Sequence, residues 1–128
     1  MLSRQLTPEG QDARALARLE SIGPTDPDSV IALRLADYFT ATRGGGGRFY
    51  LSVVLPDRNA LFPLPISIRR GRVRLFITKD RAAAVKWAMR AALLGYAVFR
   101  RFSRDDEIAG GFGTMAEIRE RARERSAA

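Results

Sequence analysis

The sequence predicts an α+β fold, a small single-domain two-layer sandwich. Its antiparallel sheet would have about four strands, packed with helices in the order ααβββαβα. Three observations predict it. Residues 66–78 alternate apolar and polar side chains on both sides of Arg70-Gly71-Arg72, as a β-hairpin does. Residues 81–95 form a nearly continuous apolar segment, long enough to cross a sheet as a helix. Tyr96 to Phe102 then reads as a returning strand, so hairpin, helix and strand follow one another in the order such a sandwich needs.

The elements follow from their local chemistry. Thr7-Pro8-Glu9 supplies an N-cap, a proline at the first helical position and an acid beside the positive helix end. Leu16, Leu19 and Ile22 continue as a thin apolar stripe until Gly23-Pro24, which predicts a peripheral helix over 8–22. Thr25-Asp26-Pro27 opens a second element, with Val30, Ile31, Leu35, Tyr38 and Phe39 at helical spacing. Ile31, Leu33 and Leu35 also alternate, which leaves a strand open over 30–42. Gly44 to Gly47 reads as a flexible connector, because consecutive glycines carry high backbone entropy. No Gly-Lys-Ser/Thr follows it, so it lacks the pattern of a phosphate loop.

Phe49, Leu51, Val53 and Leu55 alternate with Tyr50, Ser52 and Val54 and predict the first strand. Asp57-Arg58-Asn59 is a turn, and Pro63 and Pro65 confine the next approach to a loop or sheet edge. In the hairpin, Gly71 can adopt the positive φ of a tight turn. Asp80 is placed to cap helix 81–95. Val85, Ala88, Met89, Ala92 and Leu93 form one apolar face of that helix, and Trp87, Ala91 and Leu94 a second. Lys86 and Arg90 remain as a narrow polar strip. Asp105-Asp106-Glu107 is an acidic cluster, and Gly110 to Gly113 reads as a loop. Thr114-Met115-Ala116-Glu117 fits a capping box for a charged last helix with Met115, Ile118 and Ala122 as its stripe. The domain 1–128 thus divides into a helical part with its glycine linker (1–47), a basic core (48–104) and a charged C-terminal helix (105–128).

Charge is unevenly placed. The net charge is +8, yet residues 1–42 and 105–128 each sum to −2. Residues 43–104 sum to +12, with only Asp57 and Asp80 against twelve Arg and two Lys. A block of that kind attracts polyanions. The dominance of Arg over Lys is what a GC-rich genome would also produce, but composition bias does not explain the scarcity of acids in the middle.

The same residues exclude several chemistries. With no cysteine and no histidine, the chain has no disulfide framework, no thiolate zinc site and no imidazole base. The acids of 105–107 could hold a hard cation, but they do not match a calcium loop. No catalytic residue, metal or cofactor is expected, and the protein is read as not an enzyme. Met1 to Gln11 lacks the apolar core of a secretory signal. Lys86 and Arg90 interrupt the most apolar run, each costing roughly 2.5–3.5 kcal/mol at the centre of a membrane span. A cytoplasmic protein with no membrane partner is the expectation.

Nucleic acid, DNA or RNA, is the expected partner. Arg69, Arg70, Arg72 and Arg74 would line the hairpin, Arg100 and Arg101 the last strand, with Lys79 and Arg104 adding field. If Val73, Leu75 and Ile77 face the helices, then Arg74, Phe76 and Thr78 face away. Phe76 would then join Tyr50 and the aromatics of the last strand as a stacking platform for single-stranded bases. The alternative is a protein-interaction module, an inhibitor, adaptor or subunit whose basic surface holds an acidic protein, since Arg and aromatics also anchor interfaces. Self-association into a homodimer stays open.

Overall fold

Phe49, Leu51, Val53 and Leu55 are all almost fully buried, and the sheet extends to both sides of the strand that carries them. A computed structural model describes residues 17, 19–57, 59–101, 103–104 and 110–127. Its five strands are β1 (Phe49–Val54), β2 (Ile68–Arg70), β3 (Val73–Thr78), β4 (Ala97–Arg101) and β5 (Gly110–Gly113). They form one sheet in the spatial order β2-β3-β1-β4-β5. Every neighbouring pair is antiparallel. Helices α1 (Asp28–Phe39), α2 (Arg81–Leu93) and α3 (Met115–Ala127) complete the α+β domain, and from α1 onward the element order is the expected one with β5 added. The short β5 occupies the glycine-rich stretch read as a loop. It pairs with β4 at Val98–Gly113 and Arg100–Gly110, with a register shift between them. Glycines leave no alternation for a sequence pattern to show.

Local signals explain most of the boundaries. Residues 28–39 are helical, not extended: Ile31 and Leu35, four apart, are buried while Leu33 between them is 45% exposed. Asp80 caps α2, its Oδ1 accepting from the Ala82 backbone N–H at 3.0 Å. Gly95, with φ of +86°, ends the turn after α2. Thr114 and Glu117 form the reciprocal capping box at the start of α3. Gly71 makes the β2–β3 turn with φ of +60°. Gly44 to Gly47 is a hydrogen-bonded turn containing a short 3₁₀ segment, not the flexible connector expected. Its Gly46, at φ of +70°, takes a left-handed conformation that residues with a Cβ rarely adopt.

The core lies between the sheet and the helices. Ile31, Leu35, Tyr38 and Phe39 of α1 and Ala84, Trp87, Ala88 and Ala91 of α2 cover β1 and its neighbours. Ile118 and Ala122 of α3 join them, as do Leu19 and Ile22 before α1. Ala17, Leu19 and Glu20 are helical, Ser21 and Ile22 are not, and residues 8–16 and 18 of the element expected over 8–22 lie outside the described residues, as does the acidic cluster 105–107. Arg119 ties α3 to the start of α1, donating to the backbone oxygens of Pro24 and Asp26 and pairing with Asp28 at 2.5 Å. Among the described residues, no helix is long and apolar enough to cross a membrane.

Candidate nucleic-acid interface

Register decides which side each arginine faces, because directly paired residues on adjacent strands share a face. Leu51 of β1, a core residue, lies opposite Phe76 on one side and Arg100 on the other; Val53 lies opposite Arg74 and Val98. Arg74, Phe76 and Arg100 therefore face the helices. The expected orientation of β3 is reversed. Phe76 stacks on Trp87 of α2, with ring centroids 5.5 Å apart and planes 7° from parallel. Trp87 in turn donates its Nε1–H to the Pro65 carbonyl at 2.8 Å. Val73, Leu75 and Ile77 instead share the outer face with Tyr50, Ser52, Val54, Phe99 and Arg101. Alternation showed that β3 has two faces but not which one the helices would take. The Trp87–Phe76 stack chose the more polar one.

This placement divides the expected site residues. Arg100 is 1% exposed, the largest fully buried side chain, with its guanidinium 5.4 Å from the centroid of the Tyr38 ring. A cation over an aromatic face regains part of the solvation lost on burial. Arg101 is buried on the outer face, where its Nε donates to Ser52 Oγ at 3.4 Å. Arg74 is buried as well, folded back to donate to the Gly71 and Val73 carbonyls of its own turn. The expectation that Arg74, Phe76, Arg100 and Arg101 stand open to a ligand is corrected. All four are occupied in building the sheet.

Arg69, Arg70 and Arg72 are exposed at the hairpin, and Lys79 and Arg104 are exposed as well. Arg72 also braces the turn, donating to the Pro56 carbonyl at 3.0 Å. The antiparallel register sends the two groups to opposite ends of the sheet: Val54 pairs with Val73 beside the turn, and Phe49 pairs with Thr78 beside Lys79. Five residues of strand separate the ends by about 17 Å.

The second end holds cations that the sequence reading left out. Arg43 donates to the carbonyls of Gly47 and Lys79, both at 2.8 Å, and its guanidinium lies 4.3 Å from the Phe49 ring centroid. Arg81 approaches the same ring at 5.0 Å and donates to the Thr40 carbonyl. Arg48 is exposed beside the glycine turn. Arg43 and Arg48 bracket the glycines in sequence, which was the signal available; their meeting with Lys79 needed the pairing of β1 with β3. Ion pairs join Arg119 to Asp28 and Arg123 to Glu120. The described residues contain no group of three or more acids, cysteines or histidines placed to hold a metal ion.

One further contact bears on the hairpin. Arg69 and Arg74 are directly opposite each other across β2 and β3. Like charges in that position destabilise a sheet by roughly 0.2–1 kcal/mol. Compared with family models, curated proteins and solved structures, the chain matches none. The class that fold and surface define is therefore a small basic α+β domain with exposed cations at both ends of one sheet.

Proposed function

We propose that this protein binds nucleic acid without catalysing a reaction, and that it does so through phosphate contacts. Arg69, Arg70 and Arg72 at the hairpin and Arg48, Lys79 and Arg104 toward the other end are its contact residues. The observation that carries this reading is the spacing of the two exposed groups. Duplex DNA presents one negative charge per ≈ 1.7 Å of axis, so a span of about 17 Å faces about ten charges. A polyanion can engage both ends at once; a single small anion cannot. With Phe76 packed under Trp87, base stacking on that strand has no ring to use, so contact is with the backbone and carries little sequence choice.

The test is titration of labelled duplex and single-stranded oligonucleotides at low and moderate salt. If about five phosphates are neutralised, affinity should fall about 500-fold between about 50 and about 200 mM salt. Absence of binding at the lower concentration would reject the reading. An affinity that ignores salt would reject the phosphate mechanism.

A further inference from the structure

Helix α2 distributes its apolar residues unusually. It buries its small ones, Ala84, Ala88, Ala91 and Ala92, together with Trp87. Its bulky aliphatic residues stay outside: Leu93 is 51% exposed and the following Leu94 45%. Close packing against α1 explains the buried alanines. It does not explain the leucines, and exposed large apolar side chains in one place are informative where scattered ones are not.

They border a shallow, open hollow along the outward side of α2, lined by that helix and its C-cap and including the half-buried Val85 and Met89. Ala82, Val85, Met89 and Leu93 recur every three or four residues, so they form one ridge line along the helix, about 16 Å long. Cations flank the line on both sides, Arg81 on one and Lys86 and Arg90 on the other, as the helical period requires. Among the described residues the side chains of Lys86 and Arg90 have neither an ion-pair nor a hydrogen-bond partner. The adjoining acid, Asp80, is committed to capping the helix. No carboxylate lines the hollow among the described residues.

We infer that the outward side of α2 is a docking site for an acidic amphipathic helix of a partner protein, whose apolar ridge seats on Val85, Met89 and Leu93 while its flanking carboxylates meet Arg81, Lys86 and Arg90. Charge complementarity selects this occupant. A second copy paired through the same face would set Lys86 and Arg90 against their own equivalents, with no acid between them. A flat lipid surface would gain mainly from Leu93 and Leu94, which are about half exposed, and little from Val85 and Met89, which are half-buried. Helix ridges do fit such a line, and methionine at its centre adapts to the partner's shape. The inference uses residues other than those assigned to nucleic acid and stands apart from that reading.

The test uses the full chain and a fluorescent helical peptide of about 16 residues, long enough to run beside α2. The peptide carries a leucine at every third or fourth position and glutamates on both flanks. Two control peptides accompany it, one with the same residues scrambled and one with lysine in place of glutamate. Binding of the acidic amphipathic peptide alone is expected. Leu93→Gln should weaken it about tenfold or more, as truncation of an interface anchor does, with unchanged far-ultraviolet circular dichroism and unchanged oligonucleotide affinity. Lys86→Glu with Arg90→Glu should reverse the preference toward the lysine peptide. Failure of the acidic peptide to bind would overturn the proposal, as would equal binding of the scrambled peptide or binding indifferent to both variants. A concentration-dependent dimer abolished by Leu93→Gln would assign the face to a second copy and overturn it as well. So would adsorption to phosphatidylserine vesicles that depends on Leu93 in a protein that ignores the peptide.

Discussion

Strand β4 and the β2–β3 turn each bring a run of arginines to the same sheet, and the two runs end in opposite surroundings. Arg100 lies under α1 against Tyr38, and Arg101 is buried beside Ser52. Arg69, Arg70 and Arg72 are exposed around Gly71. In the sequence the two runs look alike, two or three guanidinium groups within a few residues of one another. The difference lies in their neighbours: β4 has a strand on each side, and β2 is at an edge beside a tight turn. Positive charge along a chain is therefore a poor guide to positive charge on a surface. An arginine with its stem between two strands is a packing residue first.

Substitutions can break or sharpen that contrast. The largest expected effect is on the covered side: Phe76→Ala should cost roughly 3 kcal/mol of stability, by loss of its stack on Trp87 and the cavity left behind. Chemical denaturation would show it, and a stable variant with lost oligonucleotide binding would restore the stacking platform instead. Arg100→Ala should follow, at about 2–3 kcal/mol, from lost packing and lost cation–aromatic contact.

On the exposed side, changing Arg69, Arg70 and Arg72 together to Glu should leave folding intact. It should lower oligonucleotide affinity about 100-fold at moderate salt, and the slope of log affinity against log salt should shrink by about 3. Equal stability losses at the turn and in β4 would erase the distinction between them. The smallest effect is the sharpest. Arg69→Glu alone replaces a like-charge pair with an attractive one opposite Arg74, so it should stabilise the fold by up to about 1 kcal/mol while weakening binding. A gain in stability with a loss of affinity is the signature of a charge kept for a partner, and the thermal midpoint measured beside the binding curve would reveal it.

Much of the fold was legible because its signals are local. Alternation marked β1 and β3, spacing and caps marked α2 and α3, and Gly71 marked the turn between strands. The site was legible only in part. Its hairpin half was visible as Arg69, Arg70 and Arg72, whereas the Arg43–Arg48–Lys79 end assembles through the pairing of β1 with β3, across some thirty residues of chain. The exposed leucines of α2 were hidden for a related reason. A helix apolar on most sides does not reveal which side its neighbour will cover, and α1 chose the alanines.

Taken alone, the sequence determined that the chain alternates where it is extended and repeats at helical spacing where it is coiled. It also determined that the positive charge collects between residues 43 and 104. Period and composition are properties of neighbouring residues, and a chain carries them before it folds. Tertiary structure alone decided that Phe76 turns toward Trp87, that three of the arginines are enclosed and that other cations gather at the two ends of a sheet. Those outcomes depend on register and on which helix covers which face, and both are settled by contacts between residues far apart in the chain.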